Sequence, residues 1–238
     1  MVLNETGFLV FRLRENPGTV DDEMACGALL PCPAVRLFGL TGGIGAGKST
    51  VSGALAERGA VIVDGDRTYA ELTGPGGPVI GPLAERFGAE VIAADGSLNR
   101  PALAAKVFSD PEALADLNRI THPPIGARIT EKLAELAGTD ELVILDVPLL
   151  TESTTLGSGR IPTLGLIVVD VPEEVAVERL VGSRGMAEAD ARARIAAQAT
   201  RAERNARADF IVDNAGTREE LAAEIDRLWA WLAAPLSQ

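Results

Sequence analysis

The stretch Gly42-Gly43-Ile44-Gly45-Ala46-Gly47-Lys48-Ser49 constrains this chain more than any other feature. It follows the short apolar run VRLFGLT (35–41), which reads as a buried strand, and precedes STVSGALAERG, whose spacing predicts a helix ending at Gly59. Strand, glycine-rich turn and helix in that order match the G-x-x-x-x-G-K-[ST] pattern of a phosphate-binding loop. Glycines let the backbone curl so that successive N–H groups face one anion. The start of the helix adds its positive dipole end. Lys48 is expected to reach the β- and γ-phosphates, Ser49 to offer its hydroxyl to Mg²⁺, and Thr50 to add a further donor. Context separates this reading from a glycine-rich turn with a solvent lysine. Gly43, Ile44, Gly45, Ala46, Gly47, Lys48, Ser49 and Thr50 are therefore the expected ATP-binding segment.

Four more short runs resemble strands: AVIVDGD (60–66), LVILDVP (142–148), LGLIVVDV (164–171) and DFIVDN (209–214). Each is β-branched, bounded by Gly, Pro, Asp or Asn, and separated from the next by helical periodicity. The expected fold is α/β, a P-loop NTPase with a five-stranded parallel sheet flanked by helices. With 238 residues, 47% of them hydrophobic, the chain can bury a substantial core. Residues 1–34 are turn-rich and aperiodic, and read as an N-terminal extension expected to be disordered; a lineage-specific extension and an upstream start site both fit. Residues 35–238 are expected to form a single domain. Its core spans 35–66 and 142–238, a helical substrate-binding lobe about 67–141, and a lid about 180–207. In the lobe, Asp110-Pro111 is a good N-cap and first-turn pair. Pro123-Pro124 is expected to break the following helix in two.

The net charge of −12 and pI near 4.6 oppose binding to a polyanion. Aromatics, at 4%, are too scarce for stacking platforms. Seven arginines nevertheless crowd residues 179–207, which suits small phosphorylated ligands. The two cysteines, Cys26 and Cys32, make neither a disulfide framework nor a four-cysteine zinc site. No secretory signal is seen, and no apolar run reaches the ~18 residues a bilayer demands. The expectation is a cytoplasmic protein, monomeric or weakly homo-oligomeric, with no nucleic-acid or membrane partner.

A guanine-reading N-K-x-D is absent, as is an LSGGQ-like signature. Small-molecule kinases remain. The segment VPEEVAVERLVGSRG reads as a helix ending near Gly185, and residues 186–209 as a second, making a lid hairpin. Lid arginines would neutralise the transferring phosphoryl group; most are expected on a solvated face, with Arg184, at the turn, the functional candidate. Asp64-Gly65-Asp66 ends the second predicted strand, where a carboxylate would meet the acceptor hydroxyl or position Mg²⁺; a turn-capping aspartate is the alternative.

From Val35 to about Leu232 the chain resembles the dephospho-CoA kinase family. The motifs are LTGGIGAGKSTV (40–51), VIVDGD (61–66), PGGP (75–78), DGSLNRPAL (95–103), HP (122–123), DVPLLTE (146–152) and QATRAERNARADFIVDNAG (198–216). The resemblance implies Mg²⁺-dependent transfer from ATP to the ribose 3′-hydroxyl of dephospho-CoA. It implies Asp66 as the base with Asp64 in support, Arg184 over the phosphates, and Asn214 near the adenine. Gln198 and Arg201 fall in its Q-x-x-R lid motif, while His122 and Glu152 fall in acceptor-side motifs. The sequence departs from the family at Ala70, where an arginine is usual, with Arg67 nearby, and at Thr151, where an apolar residue is usual. Kinases for another small hydroxyl acceptor (a nucleoside, nucleotide or sugar acid) and a non-catalytic ATP-sensing module are the rival readings.

Overall fold

A computed structural model describes residues 35–107, 110–147 and 163–234. Five strands form one all-parallel sheet: β1 (Arg36–Gly42), β2 (Val61–Asp64), β3 (Leu142–Asp146), β4 (Leu166–Asp170) and β5 (Phe210–Asp213). Their spatial order is β2-β3-β1-β4-β5. The strand order changes direction around β1, so the C-terminal ends of β1, β3 and β4 border the crevice where such sheets bind ligands. Four of the five strands end in aspartate there. Asp64 and Asp146 are register partners, as are Asp170 and Asp213.

Helices cover both faces because alternate strand residues are apolar in both directions. Phe38, Leu40, Ile144, Ile167, Val169 and Val212 pack against Val51 and Leu55 of α1 (Lys48–Glu57). Leu221, Ile225, Leu228 and Leu232 of the last helix join the same cluster. On the opposite face Leu37, Val63, Val143 and Leu145 close over Ile129.

Between β2 and β3 the chain is helical: α2 (Gly65–Leu72), α3 (Ile80–Phe87), a short 3₁₀ turn (Ala89–Val91), α4 (Arg100–Val107) and α5 (Pro111–Glu135). A separate apolar cluster of Leu72, Leu83, Phe87, Leu103, Val107 and Leu117 holds them together. Asp110 caps α5 as its sequence predicts, accepting the N–H groups of Glu112 and Ala113 at 2.9 and 3.1 Å.

Pro123-Pro124 does not break the helix. Both sit inside the 25-residue α5. A mid-helix proline costs about 3 kcal/mol, but α5 is anchored on either side of the pair. Leu117 is buried in the helical cluster, Ile129 is buried under the sheet, and Ile125 touches both clusters. Burying two such side chains is worth about 1.5–3 kcal/mol each, comparable to the proline penalty.

After β4 come α6 (Glu173–Arg184), α7 (Glu188–Ala196) and α8 (Arg201–Asn205), then β5 and α9 (Arg218–Ala233). The helix expected over 186–209 is thus two helices. The cause is a capping box: the Thr200 hydroxyl accepts the Glu203 N–H, and the Glu203 carboxylate accepts the Thr200 N–H. Among the described residues no helix is long and apolar enough to cross a membrane.

Candidate active site

The loop between β1 and α1 is built on two left-handed glycines. Gly45 has φ +78° and Gly47 φ +86°, a region that penalises every side chain. Gly47 caps α1 with no side-chain partner. Among the described residues, the N–H groups of Gly45, Gly47, Lys48 and Ser49 have no hydrogen-bond acceptor. Four donors at a helix N-terminus form an anion cradle. Ser49 and Thr50 are exposed in the first turn.

The loop is held from two sides. Gln198 accepts the Ile44 N–H at 2.9 Å. Asn214, directly after β5, donates from Nδ2 to the Ala46 carbonyl at 2.7 Å, and its own carbonyl accepts Arg179 Nη2 at 2.6 Å. Arg204 lies so close to Gly43 that a Cβ there would meet its Nη2 at 2.8 Å. A cavity of about 170 Å³ opens between Gly43 and Ile44 on one side and Ile195, Gln198, Arg201 and Arg204 on the other.

Lys48 forms an ion pair with Asp146, the last residue of β3. Asp146 is 3% exposed. Burial raises its pKa, with the Lys48 ammonium pulling the other way. Asp66 belongs to the same electrostatic group. The second strand stops at Asp64, two residues earlier than predicted, because Asp64 caps α2 by accepting the Arg67 N–H at 3.0 Å. Asp66 therefore sits in the first turn of α2. Burial pushes its carboxyl up to about 6; Lys48 opposes this, while Asp64 and Asp146 add to it. Arg100, at the start of α4, also lowers it, which places the helical lobe's charge within reach of Asp66.

From α8, Arg201 grips the buried Asp170 at the end of β4, with Nε 2.9 Å from both carboxylate oxygens and Nη2 2.5 Å from one. Burial alone would raise Asp170; hydrogen bonds from Arg201 and Asn205 outweigh it and hold the carboxyl below its ordinary range. Arg184 ends α6, is exposed, and its guanidinium has no partner among the described residues. His122 is half-buried in α5, with its pKa lowered by burial. Ala70 is exposed on α2, and the exposed Arg67 pairs with Glu71 at 3.6 Å. Thr151 and Glu152 lie outside the described residues.

The structure therefore gathers Lys48, Asp66 and Asp64 at one point, and Gln198, Asn214 and the loop at another. Arg201 reaches Asp170, while His122 lies on α5 of the helical segment between β2 and β3. Sequence reasoning passed over Asp146, Asp170, Arg179, Arg204 and Arg100. For the first two the signal was present: LVILD and LIVVD are apolar runs closed by an aspartate, the only way a carboxylate reaches a sheet's ligand-binding end from within a strand.

Sheet order, glycine loop and the lysine–carboxylate group beneath a helical insertion define the class: a P-loop kinase. The model of the dephospho-CoA kinase family matches residues 36–220. A dephospho-CoA kinase of Streptomyces avermitilis is 51% identical over 193 residues, covering 81% of this chain and 91% of that protein. One of Mycolicibacterium paratuberculosis is 50% identical over 81% of this chain, and the match spans 46% of that longer protein. The crystal structure of TT1252 from Thermus thermophilus superposes with a TM-score of 0.71 at 32% identity, covering 84% of this chain and 99% of that one. This chain belongs to the dephospho-CoA kinase family.

Proposed function

We propose that the protein transfers the γ-phosphoryl group of ATP to the ribose 3′-hydroxyl of dephospho-CoA, giving ADP and coenzyme A. The carrying observation is the half-buried Asp66 in the first turn of α2, within the field of the Lys48 ammonium at the phosphate loop. A carboxylate raised to about 6 is mostly ionised at neutral pH, yet more basic than an exposed aspartate. It is suited to orient the hydroxyl and take its proton. Loose phosphoryl transfer asks little of base strength, so positioning is the larger part of the role.

Lys48, which Asp146 keeps at the loop, meets the β- and γ-phosphates, and the free N–H groups of the loop bind them. Arg184 on the lid adds positive charge as negative charge spreads over the transferring group. Gln198 and Arg201 fasten the lid base, while Asp64 holds the first turn of α2 and so the position of Asp66. His122 and Glu152 belong to the acceptor side.

Among the described residues no cluster of three or more His, Cys, Asp or Glu makes a ready metal cage. The exposed Ser49 hydroxyl at the anion cradle fits instead a hard cation that arrives with phosphate ligands and waters, as Mg²⁺ does. When bound, Mg²⁺ supplies charge neutralisation across the phosphates.

The test is ADP release by the purified protein with Mg-ATP and dephospho-CoA, beside adenosine, AMP and gluconate. Fast release with dephospho-CoA alone is expected. Preference for another acceptor would show that the site around Ala70 has changed its substrate.

A further inference from the structure

Asn214 ties the phosphate loop to β4 and α6. Its side-chain Nδ2 donates to the Ala46 carbonyl, its N–H donates to the Asp170 carbonyl at 3.0 Å, and its carbonyl accepts Arg179. The residue is 7% exposed. A Cβ on Gly47 would lie 2.3 Å from Nδ2, so the amide occupies the space that the glycine leaves open.

The bond to Ala46 has a geometric consequence. The Ala46 C=O and the Gly47 N–H belong to one planar trans peptide and point in opposite directions. Holding the carbonyl toward Asn214 turns the Gly47 N–H away from it, into the cradle with the N–H groups of Gly45 and Lys48. Among the described residues no other hydrogen bond holds this peptide: glycine follows it, and glycine tolerates both orientations. A flipped peptide would present a carbonyl oxygen to the phosphates and remove a donor. We infer that Asn214 is a positioning residue that locks the Ala46–Gly47 peptide in its phosphate-binding orientation, braced by Arg179 from the lid-bearing helix α6, and that it acts on the phosphates rather than on the adenine.

The inference rests on the ATP-binding reading of the loop but not on the identity of the acceptor. It is tested by displacement of a fluorescent ATP analogue with ATP, GTP and inorganic tripolyphosphate, for wild type, Asn214→Ala and Arg179→Met. Loss of a buried hydrogen bond to a phosphate-binding loop is expected to weaken all three ligands by about tenfold in Asn214→Ala. The ATP:GTP ratio should stay at its wild-type value, and KM for dephospho-CoA should not move. Arg179→Met should give a smaller but equally uniform loss. A selective loss of ATP would make Asn214 an adenine reader and overturn the inference, as would unchanged affinities. If thermal melting shows Asn214→Ala unfolded, the pattern in Arg179→Met decides by the same criteria. A wild-type protein that binds none of the three ligands would overturn the ATP-binding reading itself, a separate failure.

Discussion

The Lys48 ammonium lies against the Asp146 carboxylate, tying the residue that opens α1 to the residue that ends β3. Two neighbouring strands thereby aim one cation at the anion cradle. The lysine side chain is 20% exposed and the aspartate 4%, so the pair straddles the boundary between core and solvent.

Asp146→Ala should therefore destabilise the protein by about 1–3 kcal/mol. That is less than a fully buried pair would lose, because Lys48 can turn to water. Urea denaturation measures the change. An unaltered midpoint would mean that Asp146 contributes only to the site.

Asp66→Asn separates catalysis from stability. Turnover should fall by orders of magnitude while ATP affinity stays nearly unchanged; near-normal turnover would sink the assignment of Asp66. The folded carboxyl titrates near 6 against an ordinary 3.8. A raised pKa means that the folded state binds the proton more tightly. The associated stability is complete below about pH 3.8 and lost as pH rises through about 6. Removing the charge should thus stabilise the protein by about 1–2 kcal/mol at pH 7.5 and have no such effect near pH 4. In the wild type, kcat/KM should fall on acidification below about pH 6, and the residual activity of the variant should lack that limb.

Gly47 and Gly53 should respond in opposite directions to alanine. At Gly47 a Cβ meets both the positive φ and the Asn214 amide, so Gly47→Ala should abolish detectable ATP binding. Gly53 is exposed within α1 with nothing within 4 Å of its Cβ position, and Gly53→Ala should stabilise by about 0.5–1 kcal/mol. Calorimetric ATP titrations and thermal melts of both variants check the pair.

Arg184, at the end of α6, and Arg201, at the start of α8, should also separate. Arg184→Ala is expected to lower kcat by about 10²–10³-fold with little loss of stability, as befits an exposed residue without a protein partner among the described residues. Arg201→Lys cannot reproduce the two-oxygen grip on Asp170. It should lower the thermal midpoint, and more at neutral than at acid pH: the depressed Asp170 pKa makes its stabilisation present above the ordinary carboxylate range and lost as pH falls. Equal behaviour of the two variants in both assays would refute the division.

Much of this molecule was legible without coordinates. The run from Arg36 to Thr50 specified strand, loop and helix because glycine at 45 and 47 and an apolar strand before them leave the backbone few alternatives. The five strands were found within one or two residues of their ends. Thr200-x-x-Glu203 is a capping-box pattern that the expectation of one helix over 186–209 overlooked, and it explains why that helix divides.

What the chain's local chemistry could not decide was settled by packing at a distance. Pro123-Pro124 argues for a break, and only the burial of Leu117 and Ile129 in two different clusters keeps α5 whole. Asp64 and Asp66 look alike in DGD, yet one caps a helix and the other, half-buried, feels the charge of Lys48. Asp146, 98 positions from Lys48, joins the site because β3 pairs with β1. Residue types and short-range spacing determined the phosphate loop and the strands. Which carboxylate meets which cation depended on strand order and on the desolvation that order imposes, because electrostatic partners are chosen by proximity in space.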